Sequence, residues 1–190
     1  MKFYKFIFSK FLLILFTNQF FLCVPEVKSA ENIKIIYGIF SRTIKVDSLK
    51  NFADNGSSTK NLRKILNATG SSDNEIQLIL NKNFEIPITI ASKLVYSEVG
   101  NVFLTRLSYI LHPTNARDQE TGMLALRSSV IQGINLGDGK INLVNFFEGY
   151  PTKTVIFNVH ALSKVMNKVE SISELFNFFI DSPLEKIKKN

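Results

Sequence analysis

The chain carries two histidines, His112 and His160, and many serines, the side-chain types of nucleophilic acyl chemistry. In that chemistry a histidine takes the proton of a serine hydroxyl while a carboxylate orients the imidazole. The α/β-hydrolase version needs a G-x-S-x-G pentapeptide, whose glycines permit the sharp strand-to-helix turn that exposes the nucleophile. No such pentapeptide occurs. His112 precedes Pro113 in a polar stretch and His160 ends an expected strand, but no nucleophile or orienting acid is identifiable for either. No catalytic residue is therefore assigned. Two isolated histidines without clustered carboxylates also fall short of a zinc set, and no metal or other cofactor is expected. Gly137-Asp138-Gly139 lacks the lysine and the length of a phosphate loop and reads as a turn. Asn67-Ala68-Thr69 fits a glycosylation sequon, a short motif that also arises by chance.

Arg127 is the one charged side chain singled out. It stands four residues after Met123 and four before Ile131, close to an apolar helical stripe. An arginine partly buried there needs a fixed acceptor, because an unpaired buried charge is costly. Two uses are open: a structural ion pair or carbonyl clamp, and the binding of an anion, for which Arg127 is the candidate.

These residues need a scaffold, and local pattern supplies most of one. Lys34–Phe40 and Arg42–Val46 are rich in β-branched and aromatic residues around Gly38 and read as a strand pair or a bent strand. Asp47 stands where an N-cap belongs, Leu49, Phe52 and Ala53 follow at helical spacing, and Gly56 ends that helix. A second helix runs from about Ser58 to Ala68 and stops at Gly70. Ser72 and Glu75 form a capping box that opens a third, through about Leu80. From Phe84 to Ile90 alternation suggests a strand, while Pro87 argues for an edge or a helix entry, and both remain open.

A helical pattern resumes at Ala91 and continues to Leu111, with Gly100 marking either a break or a close helix contact. His112–Thr121 reads as a loop. Met123–Ile134 is the clearest helix, with one stripe of apolar side chains. Asp138 is placed to cap a short helix through Phe146 and Phe147, ended by Gly149 and Pro151. Thr154–Val159 is the best single strand, and two more helices follow, the last carrying Phe176, Phe179 and Ile180. The expected class is α+β and helix-rich, with several short helices on a small two- or three-stranded sheet.

The first thirty residues carry a different message. Lys2, Lys5 and Lys10 precede an almost wholly apolar run from Phe11 to Val24, and the chain turns polar at Pro25. This is the pattern of a secretory signal peptide, with Val27 and Ser29 small enough for cleavage after Ser29. An uncleaved N-terminal anchor is the rival, although Thr17, Asn18 and Gln19 interrupt the run. The expected organisation is a leader over 1–29, a single helix-rich domain over 30–184 and a basic frayed tail over 185–190.

Of the net charge of +7, the leader holds +3 and the remainder +4. No basic block with interleaved aromatics suggests a nucleic-acid site. The single cysteine, Cys23, falls in the leader, so disulfides and thiolate chemistry are excluded from residues 30–190. Seven of the 17 phenylalanines also fall in the leader; the others read mostly as core. Phe178-Phe179 ahead of the lysine-rich tail allows weak contact with a membrane surface.

Three blocks in order carry a resemblance. Ala30-Glu31 leads to Ile36-Tyr37-Gly38 and to Ile44-x-Val46-x-x-Leu49-x-x-Phe52-Ala53-x-x-Gly56. Gly122-x-Leu124-Ala125-Leu126-Arg127 is the second block, and Leu143-x-Asn145-Phe146 with Tyr150-Pro151-Thr152 is the third. Together they resemble the cyanobacterial domain of unknown function 1400, a family filed with the alpha/beta hydrolases, over roughly Ala30–Val159. The resemblance implies an exported, mainly helical region that precedes a hydrolase domain in longer members. It carries over no catalytic serine, because no position here matches one.

The resulting expectation is an exported, non-catalytic binding or accessory domain in the periplasm or thylakoid lumen. Its expected partner is a separate hydrolase or another envelope protein. A small serine-type hydrolase using His112 or His160, and a lipid or envelope-surface binder, are the alternatives.

Overall fold

The computed structural model describes residues 29–166, apart from 71 and 117. The expected leader up to its last residue, the helix through Phe178-Phe179 and the basic tail lie outside the described residues.

The first strand pair forms as expected. Asn32–Tyr37 (β1) and Phe40–Lys45 (β2) make an antiparallel hairpin around Gly38-Ile39, with Tyr37 facing Phe40 at its end. Val46–Asn55 (α1) follows without a connecting loop. Asp47 is not its cap: Lys45 holds that place without a side-chain bond, and Asp47 lies in the first turn, where a carboxylate still complements the positive helix end. Lys60–Thr69 (α2) is capped by the Thr59 hydroxyl, and Gly56 and Gly70 end these helices as their positions predict. The capping box closes in both directions at the start of Asp73–Asn81 (α3), the Ser72 hydroxyl on the Glu75 amide and the Glu75 carboxylate on the Ser72 amide.

The stretch left open contains both elements. Phe84–Glu85 (β3) is a short strand, and Pro87 then caps Ile88–Val95 (α4), where its missing N–H costs nothing. Glu98–Leu107 (α5) begins at Ser97, whose hydroxyl accepts from the Gly100 amide at 3.0 Å. Gly100 is therefore not the break but the close contact. A Cβ at that position would come within 2.0 Å of the Leu94 carbonyl oxygen.

The largest departure from the sequence pattern lies just after α5. The expected helix to Leu111 ends at Leu107, and the expected loop begins with a strand, Leu111–Pro113 (β4). β4 pairs antiparallel with Thr154–Asn158 (β6), His112 opposite Ile156. This pairing joins residues some forty positions apart, so helical or loop-like local pattern cannot reveal it, and Pro113 is tolerated because β4 is an edge strand. The sheet thus has four strands, in the order β2-β1-β6-β4, with β1 and β6 parallel.

Gln119–Leu136 (α6) packs against α4, α5 and β4 and carries the predicted apolar stripe. After it, Lys140–Ile141 (β5) pairs with β3 as a separate two-stranded sheet. Asp138 adopts a positive φ within the turn, and the cap of Leu143–Glu148 (α7) is instead Asn142, which accepts from the Asn145 amide at 2.9 Å. Val159–Met166 (α8) follows β6 directly, so His160 belongs to a helix rather than to a strand end. The whole is α+β and helix-rich, with eight helices among the described residues. Its centre is Phe52, Leu126, Tyr150 and Val155, none of them measurably exposed.

Candidate functional site

Folding places His112 in one pocket with Ser108, four residues before it, and Asp118, six residues after it. Ser108, just past the end of α5, His112 on β4 and Asp118, at the start of α6, line one polar pocket of about 300 Å³, with Gln119 and Asn158. Gly122 lets them converge, since a Cβ there would lie 2.7 Å from the Ser108 Cβ and 3.6 Å from that of His112. The three residue types of a catalytic triad are thus neighbours.

Their hydrogen bonds are not those of a triad. The Ser108 hydroxyl donates to the Thr105 carbonyl at 2.6 Å, with the Gln119 side-chain amide oxygen 3.0 Å away. His112 Nδ1 lies 3.0 Å from the Pro113 carbonyl, which can only accept, so Nδ1 carries the proton and Nε2 is the unprotonated nitrogen of the neutral ring. Asp118 accepts from the Thr121 amide at 2.8 Å as the cap of α6, and that bond holds its carboxyl below the usual carboxylate range. The acid orients a helix, a backbone carbonyl orients the imidazole, and the serine proton points away from it. His160, the other histidine, is exposed on α8, and its carbonyl accepts from Ser163.

Arg127 is buried on α6 and reaches across to the bend between α4 and α5. Nε donates to the Val95 carbonyl at 3.0 Å, and an NH2 nitrogen donates to the Asn101 side-chain oxygen. The guanidinium also lies 4.3 Å from the centre of the Tyr96 ring, a cation–π distance. Val95 is the last residue of α4, so the cation sits at the negative end of that helix. The fixed acceptors that a buried arginine requires are a carbonyl, an amide and a ring face, and among the described residues no carboxylate pairs with it. The geometry is that of a clamp on the α4–α5 bend, the structural one of the two uses left open for Arg127.

A second concave surface is apolar, and sequence reasoning missed it. Ile35, Tyr37 and Phe40 on one face of the β1–β2 hairpin, Ile65 and Ala68 on α2, and Val159 line a groove of about 520 Å³. Arg42 and Lys64 line it as well. Alternation places Ile33, Ile35 and Tyr37 on one side of β1, and the register sets Ile44, Arg42 and Phe40 opposite them. The inner end of this face is core, with Ile33 and Ile44 buried, whereas Tyr37 and Phe40 are 60% and 70% exposed. The signal available in the sequence was an apolar alternation that continues to the hairpin turn instead of becoming polar there.

The described residues form a helix-rich domain on a mixed four-stranded sheet, with a polar pocket beside β4 and an apolar groove beside the β1–β2 hairpin among its concave surfaces. Residues 29–158 match the family model described as "Alpha/beta hydrolase of unknown function (DUF1400)", and the chain belongs to that family. No curated protein and no solved structure matches the chain.

Proposed function

We propose that this chain is an exported, non-catalytic binding or accessory domain that docks on an envelope component through the apolar groove. The observation that carries the reading is the contrast between the two concave surfaces. In the polar pocket the serine proton and the carboxylate are committed to backbone groups. In the groove, large apolar side chains stay exposed. Exposed apolar clusters on a folded domain mark contact surfaces. Export is supported by the basic, apolar and small-residue order of the first thirty residues. Among the described residues no helix is long and apolar enough to cross a membrane. A separate hydrolase, another envelope protein and the membrane surface are the components that fit such a role.

The test is a photo-crosslinking amino acid at Phe40, compared with the same group at exposed Tyr109, in the full chain within its own envelope. The reading predicts a crosslinked product specific to position 40. Equal products at both positions, or none at 40, contradict it.

A second reading is favoured by the meeting of Ser108 with His112. In a small serine hydrolase the Ser108 hydroxyl would turn from Thr105 toward Nε2 of His112, which is the nitrogen left free to accept. That reading predicts covalent labelling of Ser108 by a fluorophosphonate, abolished by His112→Ala.

A further inference from the structure

The tip of the β1–β2 hairpin and the groove behind it have a composition that narrows the occupant. The turn is only Gly38-Ile39, and Ile39 is 95% exposed, the most exposed large apolar side chain among the described residues. Tyr37 and Phe40 flank it as a facing pair. Three apolar side chains therefore project together from a narrow, convex tip. A partner protein with a matching pocket is one way to cover such a tip; a fluid apolar phase is another.

Charge decides between them. The three elements around the groove are the hairpin over 32–45, the α2 segment over 57–70 and α8 over 159–166. They contain seven Lys and Arg residues and not one Asp or Glu, although the chain as a whole has 16 acids. Arg63 has an acidic partner in Asp73 from the next helix. Arg42 and Lys64 line the groove itself. Protection of the edge strand β2 from pairing with other chains accounts for Arg42 and Lys45, since charges on an edge oppose aggregation. It does not account for Lys64, which lies on α2, nor for the apolar tip, which edge protection would disfavour. An apolar tip with aromatics behind it and a one-signed cationic collar matches the layers of an anionic bilayer. Apolar atoms enter the acyl region, aromatic rings lie at headgroup depth, and lysine and arginine meet the phosphates.

We infer that the β1–β2 hairpin docks this domain on an anionic lipid surface, inserting Tyr37, Ile39 and Phe40 while Arg42 and Lys64 bind headgroup phosphates. The inference rests on the proposed binding role and names the occupant of that same groove.

The experiment follows the tip itself, because an uncleaved leader would hold the full chain on any vesicle. The full chain with Cys23→Ser and Ile39→Cys is labelled at position 39 with an environment-sensitive nitrobenzoxadiazole dye. A second preparation carries the dye at Asn115→Cys, beyond β4 at the other edge of the sheet. Both are mixed with phosphatidylcholine vesicles and with vesicles rich in phosphatidylglycerol. The expected result is a blue shift and brightening at position 39 on the anionic vesicles only, with no change at position 115. Arg42→Gln with Lys64→Gln moves the balance between shifted and unshifted dye at position 39 about 30-fold toward unshifted, the effect of two basic side chains near an anionic surface. Arg42→Lys with Lys64→Arg preserves it. No shift at position 39 on anionic vesicles, an equal shift on neutral ones, or an equal shift at position 115 overturns the inference. Such a failure leaves the non-catalytic reading standing, since that reading falls instead to labelling of Ser108.

Discussion

The bend between α4 and α5 and the tip of the β1–β2 hairpin solve opposite problems. At the bend, Gly100 brings two backbones together, Ser97 caps α5, and Arg127 is held by Val95, Asn101 and the Tyr96 ring. A charged side chain is buried there only because its surroundings were built to receive it. At the hairpin tip three large apolar side chains, Tyr37, Ile39 and Phe40, stay 60% or more exposed. The bend holds the structure together, and its chemistry is spent internally. The tip contributes little to that and is free to act on something else. A charged residue that looks functional in sequence can thus be structural, while residues that look like ordinary strand formers make the contact surface.

The contrast between bend and tip predicts a graded series of effects on stability. Gly100→Ala is the most disruptive, because its Cβ would overlap the Leu94 carbonyl, a backbone atom that cannot turn aside. A loss of about 3 kcal/mol in denaturant unfolding is expected, as for other overpacked sites. Arg127→Ala comes next, at about 2 kcal/mol, since it strands the Val95 carbonyl and the Asn101 amide. Arg127→Lys recovers only part of this, because an ammonium lacks the planar fork that stacks on Tyr96.

Tyr150→Phe acts in the other direction. The Tyr150 hydroxyl is buried without a hydrogen-bond partner among the described residues, so its removal leaves stability unchanged or raises it by about 1 kcal/mol. Burial pushes the Tyr150 phenol above its ordinary value of 10, so the folded state keeps a proton that the unfolded state releases in more alkaline solution. Stability is therefore unaffected by this group below pH 10 and falls as pH rises above it. Denaturation curves across that range, compared between the parent and Tyr150→Phe, show a smaller alkaline loss in the variant. Ile39→Ser has the smallest effect, within about 0.5 kcal/mol, because the side chain is already in water. A large loss there would mean that the tip is structural after all.

What the sequence disclosed tracked the range of the interactions involved. Elements fixed by neighbours a few residues apart were legible: the hairpin, the Ser72–Glu75 capping box, the long α6 stripe and the stops at Gly56 and Gly70. β4 was not, because Leu111, His112 and Pro113 become a strand only by joining β6. The polar pocket was lost with it, since Ser108 and His112 meet through that strand and the space left by Gly122. The caps expected at Asp47 and Asp138 fall instead at Lys45, which makes no side-chain bond, and at Asn142, helix ends being the part of an element that local pattern fixes least. Arg127 was correctly singled out as a residue needing a fixed acceptor, but only the fold could show that a carbonyl and an amide supply it.

The measurement that most directly tests the non-catalytic account is intact-mass analysis of the full chain after incubation with a fluorophosphonate, with His112→Ala alongside. The account predicts no adduct, because the Ser108 proton is held by the Thr105 carbonyl and not by His112. An adduct that maps to Ser108 and disappears in His112→Ala would contradict it and make the polar pocket a working active site.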